Sequence, residues 1–187
     1  MDNSHIETAI SIPSEEECFE LFERYGMLKN IVRHSLRVRD VANALCSSLI
    51  NPDSLNCSVV NAASLLHDIA KSITLKTGEH HDILGAKMLM QIGYPEIAAV
   101  VSEHVTLKNF SIDTPLREAE IVFYADKRVL HDKLVTVDER ISDLFTRYGK
   151  TAVSRQHILS TQRILKELET KITHNLICTI QEALLTL

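Results

Sequence analysis

SVVNAASLLHDIAKS, residues Ser58 to Ser72, decides the fold class and poses the functional question in one segment. Its Val, Ala, Leu and Ile content predicts a core helix, buried on most sides. His67 and Asp68 stand side by side in the middle of it, where a core helix should carry no polar group. Such groups need strong partners to offset their lost hydration. A divalent metal is one such partner, because neutral imidazole and carboxylate are ordinary ligands for zinc, iron or manganese. The plainer alternative is a buried pair that only hydrogen-bonds. Lys71 follows one helical turn later, on the same side of the helix as His67 and Asp68. That spacing puts a cation where a phosphate reaches both it and a metal.

Upstream, residues 1 to 13 read as a loose arm ending at Pro13, after which Ser14 and Glu17 form a capping box for a short amphipathic helix closed by Gly26. A longer helix is predicted from about Leu28 to Ser48, with Ile31, Val38, Val41 and Leu45 as its apolar stripe. His34 falls inside that stripe, and its plainest reading is a core histidine satisfied by a neighbour. Arg37, three residues on, lies beside it on the helix surface. Asn51 to Asn56 make a turn-rich connection into the central helix.

Downstream, Thr74 to Glu79 reads as a loop, and HDILGAKMLMQIG forms a helix from near His81 to Gly93. Gly85, four residues after His81, shares its face and lets another helix or a ligand approach closely. Pro95 opens a short apolar helix, PEIAAVVSEH, whose Ile97, Val100 and Val101 share a side with His104. Val105 to Thr114 is the longest loop, placed to shape or cover a pocket. The segment REAEIVFYADKRVL is again helical, and Asp126 lies on its apolar face, where a lone carboxylate is costly unless paired or metal-bound. A helix from Asp138 to Tyr148 ends at Gly149, and residues 151–187, free of Gly and Pro, make one or two packing helices. No period-two alternation is sustained, so the class is all-α.

At 187 residues the chain is read as one domain, long enough to bury roughly two thirds of its unfolded surface without structural metal or disulfides. The net charge of -5 and the dispersed Lys and Arg residues give no footprint for duplex nucleic acid. Four cysteines without CxxC spacing, and no leader-like segment before the first helix, predict a cytoplasmic chain with reduced thiols. No apolar run approaches the ~18 residues of a membrane span. The nine histidines are the compositional feature that asks for an explanation.

Taken in order, the buried-looking polar residues are His34, His67 with Asp68, His81, His104 and Asp126, on helices distant in sequence. The ordered set His34, His67, Asp68 and Asp126 resembles the signature of the HD-domain superfamily of metal-dependent phosphohydrolases. HDIAK, His67 to Lys71, is similar to the form of that signature in which the lysine faces the phosphate, and HSLRV, His34 to Val38, resembles its first histidine motif. The likeness covers roughly residues 28 to 135, with the C-terminal helices from about 151 outside it. It implies an all-α HD-type helical bundle with a divalent metal at these residues. HDILGA from His81, followed by His104, is similar to the two-metal branch that includes bacterial symmetrical diadenosine tetraphosphate hydrolases. By that likeness Asp68 bridges two ions, His34, His67 and Asp126 completing one and His81 and His104 the other. His80 is a rival for His81. The loop VTLKNFSIDTP lacks that branch's glycine-containing stretch, and YADKRVLHDKLV is more basic, which leaves the substrate open.

The resemblance implies hydrolysis of a phosphate ester or anhydride of a small phosphorylated, nucleotide-like substrate, with iron, manganese or zinc favoured and magnesium admitted. Such ions lower the pKa of bound water and stabilise the attacking and leaving oxygens of an in-line displacement. Asp68 and Lys71 are the expected catalytic residues, Asp68 orienting water and Lys71 neutralising the phosphate, with Arg37, Lys127 and Arg128 as further substrate contacts. Two alternatives stand beside this reading: a one-metal nucleoside monophosphate phosphatase, and a nucleotide-sensing module without turnover. The apolar C-terminal tail is compatible with packing on its own core or on a second copy.

Overall fold

Ser14 starts the first helix by accepting the Glu17 amide at its Oγ and donating its own amide to Glu17 Oε2, so helix α1 runs over Glu15–Arg24. The computed structural model describes residues 11–185 and residue 187. Most of the expected N-terminal arm therefore lies outside the described residues, and of the remainder Ile12 packs against the core. Helix α2, Lys29–Ser47, buries Val38, Val41, Ala42 and Leu45 along α3, Cys57–Leu66, which buries Val60, Ala62, Ala63, Leu65 and Leu66 in return. This pair is the centre of the molecule. Next come α4, Lys71–Thr77, α5, His81–Gln91, α6, Pro95–Val101, and α7, Glu118–Lys127, the last packed on both α2 and α3. A two-residue hairpin, β1 Val129–Leu130 and β2 Lys133–Leu134, is followed by α8, Val137–Tyr148, α9, Ala152–His174, and α10, Ile180–Ala183. The fold is all-α apart from that hairpin. None of the described helices is long and apolar enough to cross a membrane.

The central helix is not continuous, contrary to the reading of Ser58 to Ser72 as one element. It stops at Leu66, and residues 67–70 form a tight turn before α4. The His67 side chain causes part of this, because its Nδ1 lies 2.8 Å from the Ser64 carbonyl, an acceptor that a continuing helix would offer to the Asp68 amide. The amides of Ile69 and Lys71 then bond three residues back, to Leu66 and Asp68. The expected loop from Thr74 to Glu79 is shorter than predicted, since α4 occupies the segment as far as Thr77 and Gly78 closes it in the left-handed conformation. Conversely α6 ends before His104, where Ser102 Oγ donates back to the Ala99 carbonyl. The helix expected through Leu130 ends at Lys127, and Val129 pairs instead with Leu134.

Downstream of α8, Leu165, Leu168 and Ile172 of α9 are fully buried, so the C-terminal helix completes the same core. Its end is tied to the end of α2, Ile50 donating to Asn175 and Ile177 to Ser48. The long loop after His104 is fastened to α9 by Lys171, whose Nζ donates to the carbonyl of Ser111 and to Thr114 Oγ1.

Candidate metal centre

Three helices and two turns bring the polar residues together. His34 comes from the buried side of α2, His67 and Asp68 from the turn after α3, His81 from the first position of α5, His104 from the turn after α6, and Asp126 from α7. Asp68 stands in the middle. Its Oδ2 lies 3.5 Å from His67 Nε2 and 4.0 Å from His34 Nε2, while its Oδ1 lies 3.2 Å from His81 Nε2 and 3.6 Å from His104 Nε2. Asp126 Oδ1 faces the first pair, 2.9 Å from His34 Nε2 and 3.7 Å from His67 Nε2. Two donor groups result, His34 with His67 and Asp68, and Asp68 with His81 and His104, each with its donor atoms within 4.8 Å of one another.

The histidines are oriented by backbone. Nδ1 of His34, His67 and His104 each lies within 2.8 Å of a carbonyl, that of His131, Ser64 and Val101 respectively. A proton on each Nδ1 satisfies that carbonyl and leaves the Nε2 lone pair aimed inward, the arrangement of metal-ligating histidines. His104 is also kept neutral: burial pushes its pKa down, and the nearby Asp68 charge does not restore it. Burial alone would raise the Asp68 carboxyl, but the imidazoles around it, His67 foremost, and the Lys71 charge hold it well below the usual carboxylate range. Asp126 behaves alike, with burial overcome by the Lys127 charge and by His34.

A divalent ion fits this donor set. His67 Nε2 and Asp68 Oδ1 are buried without a hydrogen-bond partner among the described residues, and a buried polar atom left so is costly. His81 and His104 also set their Nε2 atoms 3.1 Å apart. With the His104 proton on Nδ1, that contact needs a proton on His81 Nε2 or a cation between the rings.

The cations expected around the site divide. Lys71 Nζ lies 2.6 Å from Asp68 Oδ2 with its side chain 38% exposed, so it borders the centre and still meets solvent. Lys127 is buried and committed to Asp126 Oδ2 at 2.6 Å and to the His104 carbonyl at 2.9 Å, which makes it a brace between the two donor groups. Arg128 donates to the Val135 carbonyl and to Tyr124 Oη, and Arg37 to the Leu187 carbonyl, so both have protein partners. His80 is an exposed residue preceding α5, and His81 is the one that reaches Asp68. Sequence reasoning missed one participant: the carbonyl of His131, whose φ of 58° turns the hairpin toward His34.

Residues 31–129, more than half of the chain, match the family model described as the HD domain. The chain belongs to the HD domain family. Membership in a family that binds divalent metal, with the two His/Asp groups present, supports a metal-dependent hydrolase in general terms. The chain is similar to an uncharacterised protein of Methanocaldococcus jannaschii, 30% identical over 145 residues that cover 70% of this chain and 85% of that one. It is also similar to the crystal structure of a predicted HD superfamily hydrolase from an uncultured Thermotogales bacterium, with 20% identity, a TM-score of 0.46, and coverage of 84% of this chain and 87% of that one.

Proposed function

We propose that this HD domain uses two divalent ions, of iron, manganese or zinc, to cleave a phosphate ester or anhydride of a small nucleotide-like substrate. The observation that carries this reading is the Asp68 carboxylate, which turns one oxygen to His34 and His67 and the other to His81 and His104. His34, His67, Asp68 and Asp126 would hold one ion, and Asp68, His81 and His104 the other. When bound, such ions supply activated water and offset charge on the attacking and leaving oxygens at phosphorus. Ionised Asp68 and neutral His104 are already in the protonation states that ligands need, so metal entry displaces few protons from them. Lys71 neutralises phosphoryl oxygen from the solvent side, its ammonium kept charged against burial by Asp68 and Asp126.

A one-ion nucleoside monophosphate phosphatase is the second reading. It is favoured by His81, whose side chain is 26% exposed and whose ring no backbone carbonyl orients among the described hydrogen bonds. The two separate by elemental analysis. Protein stripped with chelator and reloaded with manganese, iron or zinc should hold two ions per chain, and replacing both His81 and His104 with Ala should remove one of them. Assaying each form on nucleoside monophosphates and dinucleoside polyphosphates then assigns the substrate. A single ion in the saturated native protein, unchanged in the double variant, leaves the one-ion phosphatase.

A further inference from the structure

The pairing of β1 with β2 sets Leu130 opposite Lys133 and leaves His131 and Asp132 as the two residues of the turn. His131 has a φ of 58°, in the left-handed region that strains a side chain, at a turn position where hairpins commonly carry glycine. Both turn residues are exposed, so packing against the core does not hold them in this conformation. Two arginines grip their side chains instead. Arg147 of α8 donates from Nη2 to His131 Nε2 at 3.1 Å, and is itself braced by Asp143, which accepts its Nε at 2.7 Å. Arg33 of α2, the residue before His34, sets its Nε 3.3 Å from Asp132 Oδ2. The turn and Arg147 lie beyond residues 31–129 that match the HD domain.

The strained residue is the one whose carbonyl lies 2.8 Å from His34 Nδ1. Relaxation of its φ to a negative value would swing that carbonyl away. His34 would then lose the acceptor that fixes its Nδ1 proton and keeps Nε2 aimed at Asp126, 2.9 Å away. A single exposed charged contact is weak, but here it has only to tip a local choice between two turn conformations. We propose that Arg147 is a positioning residue of the metal centre, gripping the His131 ring so that the strained turn presents its carbonyl to His34, with Arg33 holding the other turn residue. This deepens the hydrolase reading and rests on it for the ion that His34 would hold; the orientation of the ring itself does not depend on that ion.

Two measurements on the full chain test this. Chelator competition gives the affinity for manganese, and nitrogen NMR of the metal-free protein reports which ring nitrogen of His34 carries the proton. Arg147→Ala should lower manganese affinity about two- to fivefold, the scale of an exposed charged contact, and should populate the other His34 tautomer. His131→Gly keeps the carbonyl and takes the positive φ without strain, so it should retain native affinity and the Nδ1 proton, and adding Arg147→Ala to it should change neither. His131→Ala keeps the strain and loses the grip, and should behave as Arg147→Ala does. A merely structural role for the His131 ring would instead make the glycine and alanine variants alike. Native affinity with an unaltered His34 tautomer in Arg147→Ala, or an equal loss from that substitution in the His131→Gly background, overturns the assignment. A native protein that binds no manganese, iron or zinc removes the hydrolase reading, and the His34 tautomer in the same variants then decides this one by itself.

Discussion

Asp68 and the two lysines beside the centre carry different loads, and substitution separates them. Lys71 touches Asp68 and solvent, so Lys71→Ala should keep the metal and lower turnover by roughly a hundredfold, the scale of a lost transition-state donor. Lys127 touches Asp126 and the His104 carbonyl, so Lys127→Met should lower metal affinity by about 10–100-fold, as loss of outer-shell support does. Competition with a chelator measures the second effect and single-turnover kinetics the first; an exchange of these outcomes would reverse the two roles. The candidate donors His34, His67, Asp68, His104 and Asp126 were legible in the sequence because each is a polar residue in an otherwise apolar setting, whereas His81 was picked out by its four-residue step to Gly85. Lys127 was visible as a basic residue near Asp126, but its buried partners were not, since one of them is a backbone carbonyl. His131 was hidden for the same reason: its contribution to His34 comes from a carbonyl, which any residue possesses.

At the scale of elements, the break after Leu66 is what makes the centre accessible to α5. A continuous helix through Ser72 would keep Asp68 in helical register, whereas the turn lets Asp68 face both histidine pairs and lets α5 cross close by. Gly85 marks the crossing, because a Cβ there would meet Ile69 Cγ2 at 3.3 Å and Val101 Cγ1 at 3.5 Å. The sequence showed this glycine on the face of His81 but showed a helix where the turn is, because Val, Ala and Leu favour burial in either state and the competing His67 to Ser64 contact is tertiary in its consequences. Gly85→Val should destabilise the fold by about 1–3 kcal/mol, as overpacking does, and should cost more at the metal centre than at the core. If the proposed second ion exists, the expected result is a lowered melting midpoint together with loss of the ion proposed at His81, while the one proposed at His34, His67, Asp68 and Asp126 persists. Equal loss of both ions would mean that α5 does not set the second group independently. The hairpin at Val129 to Leu134 lay beyond sequence reading because each strand has two residues, too few to show alternation.

The whole molecule joins this centre to its C-terminal helix through one buried ion pair. Lys171 of α9 and Glu120 of α7 are both buried, with Nζ 2.9 Å from the carboxylate, and the remaining ammonium donors go to Ser111 and Thr114 of the long loop. Glu120 in turn accepts the Arg117 amide at the start of α7, the helix that delivers Asp126. The pair therefore fastens loop, α9 and α7 at one point, and residues 151–187, read from sequence only as packing helices, are part of the frame that holds a donor in place. Lys171→Met would leave the buried Glu120 carboxylate with Arg117 alone, whose Nε lies 3.5 Å away, at a cost of up to about 3–5 kcal/mol. Replacing both partners, Lys171→Met with Glu120→Leu, removes the stranded charge and should recover much of that loss, while still leaving the loop carbonyl of Ser111 without its donor. Urea unfolding of the two single variants and the double variant yields the coupling, which should be at least about 1 kcal/mol for a pair in contact. Additive losses would show that each residue acts through its own neighbours, and that α9 is held to the metal-bearing helix by its apolar packing and by the Tyr124 hydroxyl, which donates to Glu169.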